Sequence, residues 1–335
     1  EAARAVAAEV KKGWRPKRTL LFATWDAEEW GLLGSTEFVE DDSLRLEKDA
    51  VAYLNQDGAA SGPNFGAGGS PSLRPMLRDV AREVPDPSGS GSVYSVWRKK
   101  QSVADSAEPE MDDPGGGSDF AGFYNHLGIP IQEWGYGGPG GSYHSQYDSY
   151  HWMSTFGDPT YAYHAASGRV ATAMVLRLAN AEILPYDYVE FARDMRVHLA
   201  TTQKNAAAKQ WSLDASRLSA SIDGLEHAAA AFDAARDSVL AKGSPSKAVS
   251  TRTNASLMLV ERALTRPQGL KTRPWFRNLI YAADEDNGYS NMVFPSINEA
   301  TRAGDQSLAQ AEMNDLATRF ASATEALNKA TAALR

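Results

Sequence analysis

The chain has 335 residues, of which 43% are hydrophobic and 23% are charged, a composition typical of a globular protein with one large or two ordinary domains. Its formal net charge is −8, which argues against a nucleic-acid partner because such a partner requires a basic surface. The absence of cysteine excludes disulfides and thiolate ligands, so any metal must bind to His, Asp or Glu. No apolar run approaches the roughly 18 residues that a membrane span needs.

Residues 1–180 have the sequence pattern of an α/β domain. Three short segments rich in strand-forming residues lie at 19–25, 51–55 and 129–134. Helical periodicity appears near 2–10, 31–40, 71–84 and 118–127. Strands that alternate with helices usually pair in parallel, so we expect a mostly parallel mixed sheet with flanking helices.

Residues 181–335 differ, because alanine and larger apolar residues recur there at helical spacing. A helix at 161–178 leads into this half, and the same periodicity continues at 187–206, 212–240, 247–264 and 306–334. Prolines, glycines and aromatic residues between 267 and 295 interrupt the pattern, which indicates an ordered excursion between helices. We therefore expect a second domain over 181–335 that is an α-helical bundle.

Two adjacent carboxylates, Glu28 and Glu29, follow the strand predicted at 19–25 and precede a predicted helix. Ligands of open α/β sheets bind at the carboxyl ends of the strands. Neighbouring carboxylates repel each other there unless a cation lies close, so one could bind a metal while the other faces a metal-bound water. The alternative is an acid-rich first turn of a helix, where negative charge complements the helix dipole.

Two further candidates follow the other predicted strands. Asp57 ends the second strand segment, and His144 lies in the glycine-rich loop after the third. Each has an ordinary alternative, because an aspartate before Gly58 can shape a turn and a histidine in a loop can be a surface residue. Each candidate follows one of the three strands of the same predicted sheet, and this arrangement favours a shared site.

Residues 20–35 (Leu-Leu-Phe-Ala-Thr-Trp-Asp-Ala-Glu-Glu-Trp-Gly-Leu-Leu-Gly-Ser) resemble the signature of the zinc exopeptidases related to glutamate carboxypeptidase and the transferrin receptor. Further segments similar to this family lie at 13–18, 143–147, 262–264, 273–281 and 294–295. The resemblance covers nearly the whole chain. It implies a zinc-exopeptidase-type fold, a transferrin receptor-like dimerisation domain and a homodimer formed through that domain.

The resemblance also implies a role for each candidate residue. It implies a co-catalytic site with two Zn²⁺ ions that hydrolyses a terminal bond of a peptide substrate. Glu28 corresponds to the general base, and Tyr143 to the residue whose hydroxyl supports the oxyanion. Glu29 and His144 correspond to ligands of one zinc, and Asp57 corresponds to a ligand of the other.

These three ligands are too few for two zinc ions, because each ion usually takes about three ligands from the protein. In the family, a bridging Asp and a further His come from a segment upstream of the helix that opens this chain. No His and no spare Asp precede residue 26 here. We therefore expect this chain to be an incomplete fragment of a longer enzyme and to be inactive by itself.

Several positions depart from glutamate carboxypeptidase where that enzyme binds its substrate. A Lys-Tyr pair of the enzyme corresponds to Gly288 and Tyr289, so the ammonium group is lost. Ser118 replaces an Asn, and the basic cluster of the enzyme is absent from residues 129–134. We expect Ser118, Gly288 and Tyr289 to be substrate-binding positions, with a specificity broader than glutamate and either aminopeptidase or carboxypeptidase activity.

A second hypothesis is a non-catalytic transferrin receptor-like homologue that acts as a binding or dimerisation module. The joint presence of Glu28, Glu29, Asp57, Tyr143 and His144 favours the enzyme. The Ala-, Arg- and Asp-rich style suggests a bacterial source, and relatives of this kind are commonly exported. We therefore expect a periplasmic or secreted protein, although this chain contains no signal segment.

Overall fold

The computed structural model describes residues 1–104, 106–138, 140 and 142–335. Gly141, in the predicted histidine loop, lies outside them. In chain order, the first half contains α1 (Ala2–Lys11), α2 (Leu33–Asp41), α3 (Ser43–Asp49), β1 (Tyr53–Asn55), β2 (Asn64–Gly69), α4 (Arg74–Glu83), α5 (Val93–Gln101), β3 (Ile131–Gly137), α6 (Tyr150–Trp152) and α7 (Ala162–Asn180). Short helical turns lie at Glu28–Trp30, Pro71–Leu73, Gly122–His126 and Met153–Gly157. The combination of helices with a sheet is confirmed.

The described sheet has three strands in the order β1-β3-β2. β1 pairs in parallel with β3, with Tyr53 opposite Ile131, whereas β2 pairs in antiparallel fashion on the other side. The sheet is therefore mixed, as expected. Its register places Asn55, the last residue of β1, opposite Glu133 of β3, which brings two polar side chains to the edge where the candidate site lies.

The sequence pattern did not indicate β2, because its residues Asn-Phe-Gly-Ala-Gly-Gly are typical of a turn. The glycines allow the strand to approach β3 closely. Gly69 has a positive φ of 147°, and a Cβ at this position would lie 2.5 Å from the carbonyl oxygen of Ile131. Glycine here therefore serves a close backbone approach.

The strand predicted at 19–25 is wrong, because this segment forms no strand within the described part of the chain. Leu21 and Phe22 are 65% and 49% exposed. Apolar β-formers become a strand only where a neighbouring segment completes the hydrogen-bonded ladder, and no described segment does so here. The end of the segment is nevertheless fixed, since the Trp25 indole nitrogen donates a hydrogen bond of 3.0 Å to the Tyr53 hydroxyl.

The second half contains α8 (Tyr188–Ala208), α9 (Ser216–Leu240), α10 (Lys247–Arg262), β4 (Tyr281–Ala283), β5 (Asn291–Val293), α11 (Pro295–Ala303) and α12 (Gln306–Ala333). The predicted long helices are confirmed, and the predicted excursion contains the β4–β5 hairpin. The division of the chain at residue 180 stays a prediction. None of the helices formed by the described residues has the length and apolarity required to cross a bilayer.

The helical half is held together by α12, which packs against α9, α10 and α11. Leu218, Ile222 and Leu225 on α9 are fully buried, as are Leu316 and Phe320 on α12. Their spacing of three and four residues places each set on one helix face, which is the pattern that identified these helices in the sequence. α8 packs against α9 and also against the turn at Pro71–Leu73, so it joins the two halves.

A buried carboxyl group lies where α10 meets the first half. Glu261 is 4% exposed and accepts a hydrogen bond from the Ser72 hydroxyl. Burial raises the pKa of Glu261 from 4.5 to about 7, against the lowering effects of Ser72 and Arg262. The folded protein therefore holds this proton more tightly than the unfolded chain does.

We expect Glu261→Gln to reduce the loss of stability on going from pH 5 to pH 8. The contribution of a carboxyl with a raised pKa is fully present below its unfolded pKa and is lost as pH rises through the folded value. The shift corresponds to about 3 kcal/mol at most. Urea unfolding at both pH values would measure it. The exposed Glu325→Gln on α12 is the control, and an unchanged pH dependence in Glu261→Gln would contradict the prediction.

Candidate active site

The two glutamates lie on a tight turn between the segment 19–25 and α2. Ala27 has a left-handed backbone with φ of 56°. The amide of Gly34 donates a hydrogen bond of 3.1 Å to the carbonyl oxygen of Asp26, and a Cβ on Gly34 would lie 2.6 Å from that oxygen. Glu28 and Glu29 therefore precede α2 and occupy a separate short turn, instead of forming the first turn of the long helix.

Glu29 lies next to His144, the residue that the family resemblance pairs with it as a ligand of one zinc. The distance from His144 Nε2 to Glu29 Oε2 is 3.0 Å, and both side chains remain partly open to solvent. His144 lies on the loop after β3 with a left-handed φ of 55°. The ring of Tyr143 stacks on the imidazole with their centroids 3.8 Å apart. The loop thus presents the imidazole and the phenol side by side.

Asp57 follows β1 and is oriented by a row of neutral hydrogen-bond donors. The Ser118 hydroxyl donates to Asp57 Oδ2 at 2.8 Å. The buried Asn55 amide in turn donates to Ser118 Oγ at 2.9 Å and to Glu133 Oε2 at 3.3 Å. Ser118, predicted as a substrate-binding residue, contacts Asp57 directly, and its hydroxyl positions that carboxylate.

Glu28 is electrostatically close to the other acids. Burial raises its pKa above the ordinary 4.5, and the charges of Asp57, Glu29 and Asp119 raise it further, whereas His144 lowers it. A carboxylate whose proton affinity is increased in this way is better suited to accept a proton from water near neutral pH. The role of general base, which the family resemblance implies for Glu28, stays a prediction.

Tyr143 and Tyr289 come together from different halves of the chain. Hydrogen bonding to Tyr289 is the main effect that raises the pKa of Tyr143 to about 12, and burial and the charge of Glu29 add to it. Both rings are largely exposed, at 67% for Tyr143 and 59% for Tyr289. A phenol with this pKa keeps its proton at neutral pH and can donate a hydrogen bond to a negatively charged oxygen.

Three consecutive glycines let the β4–β5 hairpin lie directly on the pocket loop. A Cβ on Gly115 would lie 2.2 Å from the carbonyl oxygen of Tyr289, one on Gly116 would lie 2.2 Å from Ala283 Cβ, and one on Gly117 would lie 2.6 Å from the Tyr289 ring. Beneath the hairpin is a cavity of about 520 Å³. Its lining includes Asp57, Asp112, Asp113, Ser118, Glu133 and Tyr289.

Gly288, the other predicted substrate position, gives the hairpin its turn. Its φ is 74°, and its amide donates a hydrogen bond of 2.9 Å to the carbonyl oxygen of Asp284. Tyr289 lines the cavity, together with Ser290 and Asn291. The tyrosine therefore supplies the side chain of this pair.

Sequence reasoning missed Asn55 and Glu133, which complete the row of polar groups. Asn55 lies two residues before Asp57, a spacing that places both on one face of an extended chain. Glu133 is opposite Asn55 in the β1–β3 register. The sequence therefore contained a signal for Asn55. The role of Glu133 could be found only once the pairing of β1 with β3 was known.

The donor chemistry of Glu29, His144 and Asp57 fits zinc, which takes imidazole and carboxylate ligands. Among the described residues, however, no three His, Asp or Glu side chains converge closely enough to hold an ion. Glu29 and His144 form a close pair, whereas Asp57 lines the cavity beneath the hairpin. The structure thus brings two of the three expected ligands together, and a metal site at these residues stays a prediction.

Comparison with known proteins divides the chain into two matched regions. Residues 1–165 match the sequence model of peptidase family M28. Residues 213–328 match the model of the transferrin receptor-like dimerisation domain. The two regions together cover most of the chain.

Curated relatives align with nearly the whole chain. It is 38% identical over 292 residues to the probable glutamate carboxypeptidase LAMP1 of Arabidopsis thaliana, an alignment that covers 87% of this chain and 41% of the relative. It is 33% identical over 302 residues to the probable glutamate carboxypeptidase VP8 of Zea mays, covering 89% and 41%. It is 30% identical over 316 residues to the aminopeptidase NAALADL1 of Rattus norvegicus, covering 90% and 42%. The chain thus spans about two fifths of the length of these relatives.

We expect Gly116→Ala to destabilise the protein by about 1–3 kcal/mol, because the added methyl group would overlap Ala283 and push the hairpin off the pocket loop. Thermal unfolding would measure the loss. Gly66→Ala on β2 is the matched control, since a Cβ there meets nothing within 4 Å. Equal melting temperatures for the two variants would contradict the predicted close contact between Gly116 and Ala283.

Proposed function

The chain belongs to peptidase family M28 and carries a transferrin receptor-like dimerisation domain, and from this premise we propose that its parent protein is a dizinc exopeptidase. It would hydrolyse a terminal peptide bond with Glu28 as general base. The observation that carries the proposal is the placement of Glu28, which lies close to the Glu29–His144 pair and is electrostatically coupled to Asp57. A metal-assisted hydrolase needs these groups together.

In this proposal each residue has a distinct task. Glu28 accepts the proton of the attacking water and passes it to the leaving amine. Tyr143, which keeps its proton at neutral pH, donates a hydrogen bond to the oxyanion. Glu29, His144 and Asp57 would hold the metal, with Ser118 fixing the carboxylate of Asp57. Zinc would supply the Lewis acid that polarises the scissile carbonyl.

We also propose a specificity broader than glutamate. Gly288 offers no ammonium group to a substrate carboxylate, and the cavity below the hairpin is lined by carboxylates and by Tyr289. An acidic substrate side chain would be repelled there, whereas the aromatic ring suits an apolar one. Relatives of the chain include proteins named as carboxypeptidases and one named as an aminopeptidase, so both chain ends belong in the assay.

We expect Glu28→Gln to lower peptide hydrolysis by about 10²- to 10⁴-fold while zinc binding is retained, because only the proton acceptor is lost. Glu29→Gln should weaken zinc binding as well. The full-length protein would be assayed with peptides blocked at either terminus, and its zinc content measured after dialysis. Glu325→Gln is the control.

Full activity in Glu28→Gln would refute the assigned base. A wild-type protein that binds no zinc and cleaves none of the peptides would support the non-catalytic homologue instead, acting as a binding or dimerisation module.

We propose that the helical half forms a two-fold homodimer, as its domain type implies. Apolar side chains remain exposed on α8, α9 and α10, namely Val197, Leu240 and Leu259 at 64%, 39% and 52%. Sedimentation velocity of the full-length protein should give the mass of a dimer at micromolar concentration. A monomer across the whole concentration range would contradict this proposal.

A further inference from the structure

The loop of residues 112–118 forms one wall of the cavity and ends at Ser118, the donor that orients Asp57. At its start, the amide of Asp112 bonds to the carbonyl oxygen of Ala67 at 3.0 Å. A displacement of this loop would move the Ser118 hydroxyl away from Asp57. Whatever fixes the loop therefore also fixes the carboxylate.

Arg74 is one of the side chains that tie this loop to the rest of the molecule, together with Asn125, whose side-chain amide donates to the carbonyl oxygen of Gly115 at 3.0 Å. Arg74 is the first residue of α4 and only 7% of its side chain is exposed. Its Nη2 donates to Asp113 Oδ1 at 2.6 Å, its Nη1 donates to Asp194 of α8, and its Nε donates to the carbonyl oxygen of Gly69 at 3.2 Å. The planar guanidinium thus holds the pocket loop, a strand of the sheet and a helix of the second half in one geometry.

Other contacts of Asp113 also come from the helical half. His198 on α8 lies 3.5 Å from Asp113 Oδ2 and forms a hydrogen bond of 2.7 Å with the Tyr281 hydroxyl of β4. The Asn291 amide of β5 donates to the Asp113 carbonyl oxygen at 3.4 Å. Asp113 is therefore anchored by α4, α8 and the hairpin together, although it belongs to the loop that shapes the pocket.

We propose that Arg74 is a positioning residue that transmits the packing of the helical half to the candidate active site. Through Asp113 it fixes the 112–118 loop, and through Ser118 the loop fixes the orientation of Asp57. The effect on catalysis rests on the function proposed above, whereas the ordering of the loop does not.

Arg78 provides a matched control on the same helix. It also links α4 to α8, since its Nη1 donates to Glu190 at 2.6 Å, and its side chain is only 10% exposed. Its other ionic partner is Glu108, at 3.8 Å, which lies outside the 112–118 loop. Replacing either arginine with lysine keeps the positive charge and removes the fork, so the two variants differ mainly in their contact with the loop.

The test measures backbone hydrogen exchange across residues 112–118 in the full-length protein, together with kcat and KM. Arg74→Lys should raise the rate of hydrogen exchange in the loop about tenfold and lower kcat about tenfold, with a smaller change in KM. The reason is that the Asp57 carboxylate is misplaced in a protein that is still folded. Arg78→Lys should leave both close to the wild-type values. Asp194→Asn weakens the same anchor from the helical half and should change loop exchange and kcat in the same way as Arg74→Lys. It replaces Arg74→Lys in the test if that variant does not fold.

The inference would be overturned by either of two results. One is an unchanged rate of hydrogen exchange in the loop of folded Arg74→Lys or Asp194→Asn. The other is an equal increase of that rate in Arg78→Lys. A loop that loosens without any fall in kcat would overturn its catalytic part. If the wild-type protein cleaves no peptide, the proposed function fails, and the exchange data still decide whether Arg74 positions the loop.

Discussion

Mutual repulsion among carboxylates at one edge of a small sheet is the constraint on which the candidate site depends. Burial is the largest cause of the raised pKa of Glu28, and the charges of Asp57, Glu29 and Asp119 raise it further. The fold keeps these groups near one another with neutral donors, such as Ser118 to Asp57 at 2.8 Å and Ser35 to Asp119 at 2.6 Å. Neutral donors orient an anion and leave its charge in place, so the edge retains a negative potential that favours a cation.

The pocket depends on both halves of the chain, and this explains the glycines at its rim. Tyr289 reaches Tyr143 only because Gly115, Gly116 and Gly117 let the β4–β5 hairpin come into contact with the loop backbone. The anchor on the other side is ionic and buried, through Arg74. Desolvated charges in such an anchor are costly to separate, since removing one partner leaves the other unpaired. The two halves are therefore mechanically coupled at the pocket.

The same coupling bears on substrate recognition. In this chain the hairpin offers a tyrosine and a turn-forming glycine, and the cavity that Tyr289 lines is also lined by Glu133 and Asp57. Glu133 itself has a raised pKa because it is buried, and the charges of Asp57 and Asp112 raise it further. Under the proposed function, a substrate carboxylate would meet like charge in this cavity. This lining is the basis of the proposed specificity broader than glutamate.

Local patterns in the sequence determined the long helices and the identity of Glu28, Glu29, Asp57 and His144 as candidates. Helical periodicity reflects burial of one face, which is encoded within each segment, and the motif residues could be recognised one segment at a time. The prediction of a strand at 19–25 was wrong, because a strand requires a hydrogen-bonded partner segment, which strand propensity alone does not provide.

Only the tertiary structure decided which of these residues meet. It brought His144 to Glu29, placed Ser118 rather than a charged group on Asp57, and set Glu133 opposite Asn55. These contacts join residues more than 60 positions apart, and their distances depend on loop paths and strand register. No local pattern carries that information, because it arises from the packing of all the elements together.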